Sequence, residues 1–101
     1  MIELDRRFRG RGTMRGCSFT QIASSSFAYI YLVEDDETGD KRYEVFKRKE
    51  GKDMDVVIGG VPVHYSAKVL YPTDREFGVS AKCCTTLKRA VYWYDKWNKE
   101  K

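Results

Sequence analysis

Phe27-Ala28-Tyr29-Ile30-Tyr31-Leu32-Val33 is the longest strongly apolar run in the chain. In an extended backbone successive side chains point to opposite faces, so Phe27, Tyr29, Tyr31 and Val33 share one face and Ala28, Ile30 and Leu32 the other. Both faces are apolar, which places the strand at the centre of a sheet covered on both sides. Seven residues are far too few to cross a bilayer.

The segments on either side read as its partners. Asp35-Asp36-Glu37-Thr38-Gly39-Asp40 is a polar loop, after which residues 41–49 resume with Tyr43, Val45 and Phe46, the pattern of a β-hairpin. Upstream, Ser24-Ser25-Ser26 marks a turn that follows a short strand over residues 17–22, with Phe19 its main apolar side chain. Downstream, residues 50–53 form a second polar break. Residues 54–58, the pair Gly59-Gly60 and residues 61–70 then predict another hairpin on a tight turn. Pro62 cannot donate a ladder hydrogen bond and belongs at an edge or a strand start. Val63, Tyr65, Ala67 and Val69 form an apolar face opposite His64, Ser66 and Lys68. Tyr71-Pro72-Thr73-Asp74 is a turn, and Phe77-Gly78-Val79 opens a last short strand reaching Cys83.

One helix follows, with Thr85 or Thr86 as its N-cap. Leu87, Ala90, Val91, Tyr94 and Trp97 recur at helical spacing as one apolar stripe, with Trp93 at its margin. Lys88, Arg89, Tyr92 and Lys96 lie on the other side. The expected architecture is α+β: an antiparallel sheet of four to six strands with one C-terminal amphipathic helix packed on one face.

A length of 101 residues fits one domain, and an apolar content of 42% with seven Tyr, five Phe and two Trp supplies a modest core. Residues 1–16 alternate Arg with Gly around a lone Phe8 and read as a basic, extended or mobile arm, leaving residues 17–101 as the single α+β domain. The N-terminus lacks the apolar stretch of a secretory signal. Cys17, Cys83 and Cys84 are odd in number and two are adjacent, a poor disulfide framework. Cytoplasmic residence, without membrane attachment, is the expectation.

Charge is unevenly spread. Residues 1–16 carry a net +3 and residues 82–101 a net +4, against +4 overall, so the middle is mildly acidic. Clustered Lys and Arg raise local potential more than net charge does, and two basic ends suggest an anionic partner. The residues concerned are Arg6, Arg7, Arg9, Arg11 and Arg15 at one end and Lys88, Arg89, Tyr92 and Lys96 at the other. Arginine beside glycine can reach phosphates and stack on bases, yet two Arg-Gly steps plus Arg15-Gly16 also describe a solvated terminus. A second nucleic-acid surface would be an open sheet face bearing Tyr29, Tyr31 and Tyr43, near Lys41 and Arg42. The simpler role of those tyrosines is to pair across strands and shield the sheet.

Catalytic and metal chemistry find little support. His64 with Cys17, Cys83 and Cys84 lacks the Cys-x₂₋₄-Cys knuckle of a structural zinc site, and neighbours on a strand point apart. Nothing places a cysteine beside His64 as a nucleophile pair. The carboxylates Asp35, Asp36, Glu37 and Asp40 lack calcium-loop spacing, and no phosphate loop, dinucleotide fingerprint or nucleophile elbow is present. No cofactor or metal is expected.

From Gly16 onward the succession Phe19-Thr20-Gln21-Ile22, Tyr43-Glu44-Val45-Phe46, Tyr71-Pro72 and Phe77-Gly78 before a final helix resembles small uncharacterised proteins of bacterial phages and mobile genetic elements. The resemblance implies a genetic setting and no activity. The expected function is a small non-enzymatic binding or accessory module, foremost for a protein partner. Its alternative is a nucleic-acid-associated protein using the basic arm and the basic helix face together.

Overall fold

The computed structural model describes residues 1–10 and 14–100. Among these residues nine strands and one α-helix follow in order: β1 (Arg7–Arg9), β2 (Cys17–Ser24), β3 (Ala28–Asp35), β4 (Lys41–Lys47), β5 (Glu50–Gly51), β6 (Met54–Ile58), β7 (Val61–Tyr65), β8 (Lys68–Val69), β9 (Ala81–Cys84) and α1 (Leu87–Lys99). Five of the strands form one antiparallel sheet in the order β1-β2-β3-β4-β9, and α1 packs across one of its faces. The α+β architecture expected from the sequence is the one observed.

β3 is the middle strand and is covered on both faces. Tyr29, Tyr31 and Val33 on one side, and Ala28 and Ile30 on the other, are each buried. On the helix face they meet Val45, Cys84, Ala90 and Trp97, with Tyr43, Trp93 and Tyr94 packed around them. On the opposite face Tyr29 and Tyr31 stack against Phe46, with Phe19, Val69 and Ala81 in the same cluster. The tyrosines therefore shield the sheet, and the open tyrosine face considered as a base-stacking platform does not exist.

What closes that face is the N-terminal segment. Residues 1–10 are not a free arm. β1 pairs with β2 at the sheet edge, and Phe8 stacks on Phe19 at 4.7 Å and contacts Tyr31 and Tyr71. Ile2 bridges Lys68 alongside β8. The buried tyrosine hydroxyls are met from the same segment, as buried polar groups must be. Tyr31 donates to the Asp5 carbonyl at 2.7 Å, and Tyr29 donates to Glu3 at 2.8 Å. Arg48 clamps the arrangement, donating to both Glu3 oxygens, to Glu50 and to the Tyr29 hydroxyl. Those bonds hold the Glu3 carboxyl down at about 2, chiefly through Arg48. Burial pushes Tyr29 up to about 12.

Three further expectations are corrected. The strand after the Tyr71-Pro72 turn begins at Ala81, because Gly78, at a φ of 97°, turns the chain and its N–H bonds the Ala81 carbonyl. The second arm of the Gly-Gly hairpin ends at Tyr65, and the apolar face expected to run on to Val69 is interrupted before β8. The helix is capped by Thr86, whose Oγ1 accepts from the Arg89 N–H; its buried side keeps Ala90, Tyr94 and Trp97 of the expected stripe and takes in Trp93 in place of Leu87 and Val91. Ala90 and Trp97 are buried and Trp93 is partly so, while Leu87 and Val91 stay about 40% exposed (41% and 39%).

The segment from β5 to β8 leaves the body as a long hairpin. β5 and β8 pair as its stem, and β6 and β7 pair as its tip through a Gly59-Gly60 turn. Both glycines have positive φ, 57° and 81°, as a two-residue hairpin turn requires. The projection explains a radius of gyration of 15.2 Å, above the roughly 13 Å of a compact chain this long.

Candidate interaction surfaces

Two surfaces stand out, one apolar and one basic. The apolar one is the hairpin tip. The cross-strand pairs Met54–Tyr65, Val56–Val63 and Ile58–Val61 put six apolar side chains on one face of β6 and β7. The other face carries Asp55 and His64, joined at 2.8 Å, and Val57 opposite Pro62. Met54, Ile58, Val61 and Tyr65 are all exposed, Val61 at 60%. The two strands pack chiefly on each other. Sequence reading found the hairpin and an apolar face on its second arm; alternation reveals an apolar face, not whether anything covers it.

The basic surface lies where α1 runs over β9. The Trp93 ring has the Lys82 ammonium at 4.6 Å and the Lys96 ammonium at 5.1 Å from its centroid. Beside it, Tyr92 meets Trp93 edge-on at 5.4 Å and carries the Arg89 guanidinium at 5.5 Å. Tyr92 is half-exposed and Lys88 is exposed on the same helix. Of the expected contact residues, Lys88, Arg89, Tyr92 and Lys96 are thus on one element, three of them in one cluster. Lys82 and Trp93 complete it and were not singled out from the sequence; the signal was Lys82 standing a few residues before the helix on the strand beneath it.

The N-terminal arginines are elsewhere. Arg7 and Arg9 flank Phe8 on β1, the sheet edge opposite β9, about 19 Å away at the usual strand spacing. Arg9 is neutralised by Asp36 at 2.8 Å and donates to Ser18. Arg6 and Arg15 are exposed near that edge, and Arg11 lies outside the described residues. The two basic ends do not join into one patch.

The groups that might carry chemistry are occupied structurally. Asp35 accepts the N–H groups of Glu37 and Thr38 at 2.9 Å, which lowers its pKa and pins the turn after β3. Cys17 and Cys84 are buried, Cys83 is exposed, and burial pushes the Cys83 and Cys84 thiols up, away from the thiolate form. His64 sits on the hairpin with Asp55. Among the described residues no three His, Cys, Asp or Glu side chains converge as metal ligands, and no helix is long and apolar enough to cross a membrane. Comparison with protein-family models, curated proteins and solved structures returned no match.

Proposed function

We propose that this chain is a small non-enzymatic binding module that docks a protein partner through the β6–β7 hairpin. The observation that carries the reading is the three-pair apolar face left uncovered at the hairpin tip. An isolated two-stranded hairpin is marginal in water, and apolar area gains about 25 cal/mol per Å² when removed from it. A ladder of six apolar side chains, four of them exposed and Val56 and Val63 only half-buried, is a face shaped for a second surface. The partner it suits offers an apolar groove rather than a charged one, because the hydrogen-bonded pair Asp55–His64 points the other way. Three free thiols suit a reducing cytoplasm, and the resemblance to proteins of mobile elements suits an accessory role.

The test uses the chain and its Ile58→Asp variant as baits under identical conditions. A protein retained by the first and lost by the second is then purified and titrated against both. Weakening by at least about tenfold, with an unchanged melting curve, supports hairpin docking. A purified partner that binds both baits equally removes the hairpin from the proposal, and absence of any hairpin-dependent partner removes the docking function.

A further inference from the structure

We infer that the face built by α1 and β9 binds single-stranded nucleic acid. The inference stands apart from hairpin docking and uses none of its residues.

Charge comes first. Lys82, Lys88, Arg89, Lys96 and Lys99 have no ion-pair partner among the described residues, whereas Arg9, Lys47, Arg48 and Lys49 are each matched by a carboxylate. The helix has one acidic residue, Asp95, which borders this face beside Lys88 and Lys99 and lies about 100° around the axis from Lys96 and about 120° from Arg89. Arg6, Arg7 and Arg42 also lack an ion-pair partner among the described residues, so what marks this face is that its unmatched charges gather around Trp93 and Tyr92, which is complementarity to a polyanion.

The aromatic rings choose among polyanions. Lys82, Lys96 and Trp93 hold one another in place, so two ammonium groups sit at fixed positions about one indole. Arg89 and Tyr92 form an adjacent cation–π pair, with Tyr92 half-exposed. A guanidinium plane and a phenol ring beside ordered ammonium groups offer stacking to a base and contacts to the flanking phosphates. An acidic protein supplies no base to stack, and a duplex keeps its bases stacked on one another. A single strand satisfies both features at once.

The experiment is fluorescence anisotropy of the full chain with labelled oligothymidine and oligouridine of about 12 nucleotides, beside a duplex of equal length and anionic vesicles. Saturable binding to the single strands, tighter than to the duplex, is expected. Three to five phosphate contacts should make affinity fall roughly 20- to 100-fold between about 50 and 200 mM salt. Tyr92→Ala should weaken binding roughly tenfold while Tyr92→Phe retains it. Replacing Lys82, Arg89 and Lys96 together with alanine should flatten the salt slope by about 2. Arg6→Ala and Arg7→Ala, on the far edge, should change little, and Ile58→Asp should change nothing. No binding even at low salt, preference for duplex or vesicles, or indifference to Tyr92→Ala would each overturn the inference without touching the hairpin.

Discussion

The Tyr71 hydroxyl donates to the carboxyl of Glu44, a side chain only 4% exposed at the centre of β4. Burial pushes this carboxyl up to about 7, against the opposing pull of Arg42. An unfolded chain releases that proton near 4.5, so between about 4.5 and 7 the folded state holds a proton the unfolded state has lost. Stability must then fall as pH rises through this window, by up to roughly 3 kcal/mol, and level off above it. Glu44→Gln, which can still accept from Tyr71, should match the parent near pH 4.5 and exceed it above about pH 7 in urea titrations. Parallel pH profiles for the two proteins would refute this.

At the acid end the sign reverses. Glu3, Asp35 and Glu76 all ionise below their ordinary range, Glu3 and Asp35 through hydrogen bonds they accept and Glu76 likewise from Thr73 and Lys49. Their contributions are present above the ordinary carboxylate pKa and are lost as pH drops through the depressed values. Together with Glu44 they place the stability maximum near pH 5. Glu3→Gln should blunt the acid-side loss, read as a smaller change in melting temperature between about pH 5 and pH 3. A parent protein with a flat acid limb would contradict the assignment.

Phe8→Ala separates an integral first strand from a loose arm. Phe8 is half-buried among Phe19, Tyr31 and Tyr71, so its truncation should cost about 2–4 kcal/mol in chemical denaturation. The neighbouring Arg6→Ala should stay within about 0.5 kcal/mol. Equal, small effects at both positions would return the segment to solvent.

The buried side of α1 has its own signature. Trp97 is 4% exposed, and Trp97→Ala should cost about 3–5 kcal/mol. Leu87→Ala and Val91→Ala, at partly exposed positions, should each cost about 1 kcal/mol or less. Costs at Leu87 and Val91 as large as that at Trp97 would mean that the whole of the expected stripe is buried.

The elements set by local pattern were legible in the sequence. Two apolar faces from Phe27 to Val33 made β3 central, although Phe27 itself precedes the strand and is exposed; Gly59-Gly60 marked the tight turn, and the helix start was narrowed to Thr85 or Thr86, of which Thr86 is the cap. What escaped depends on distant partners. Phe8 stands alone among arginines and has no periodicity; its burial comes from Phe19 and Tyr71, residues far along the chain. Spacing placed Ala90, Tyr94 and Trp97 on the buried side of α1 correctly; Val91 fits the same spacing but stays exposed, while the Trp93 ring, with Lys82 over it, packs against the core instead.

The candidate surfaces divide the same way. Lys88, Arg89, Tyr92 and Lys96 share one helix, so spacing alone brought them together. The arginines of the other end were grouped with them by charge, and only strand order could show that β1 and β9 occupy opposite edges. Arg9 is further discounted because Asp36 answers its charge.

The stem beneath the hairpin also bears on how the chain gets folded. β1 to β4 pair in sequence order and need only short connections, whereas Phe46 must find Ala81 across roughly 34 intervening residues to bring β9 into the sheet. Pairing Glu50 with Val69 takes about half of that span out of the search. Halving a closing loop recovers about 0.6 kcal/mol of chain entropy. The β5–β8 stem thus makes the last strand, and the helix that follows it, quicker to arrive.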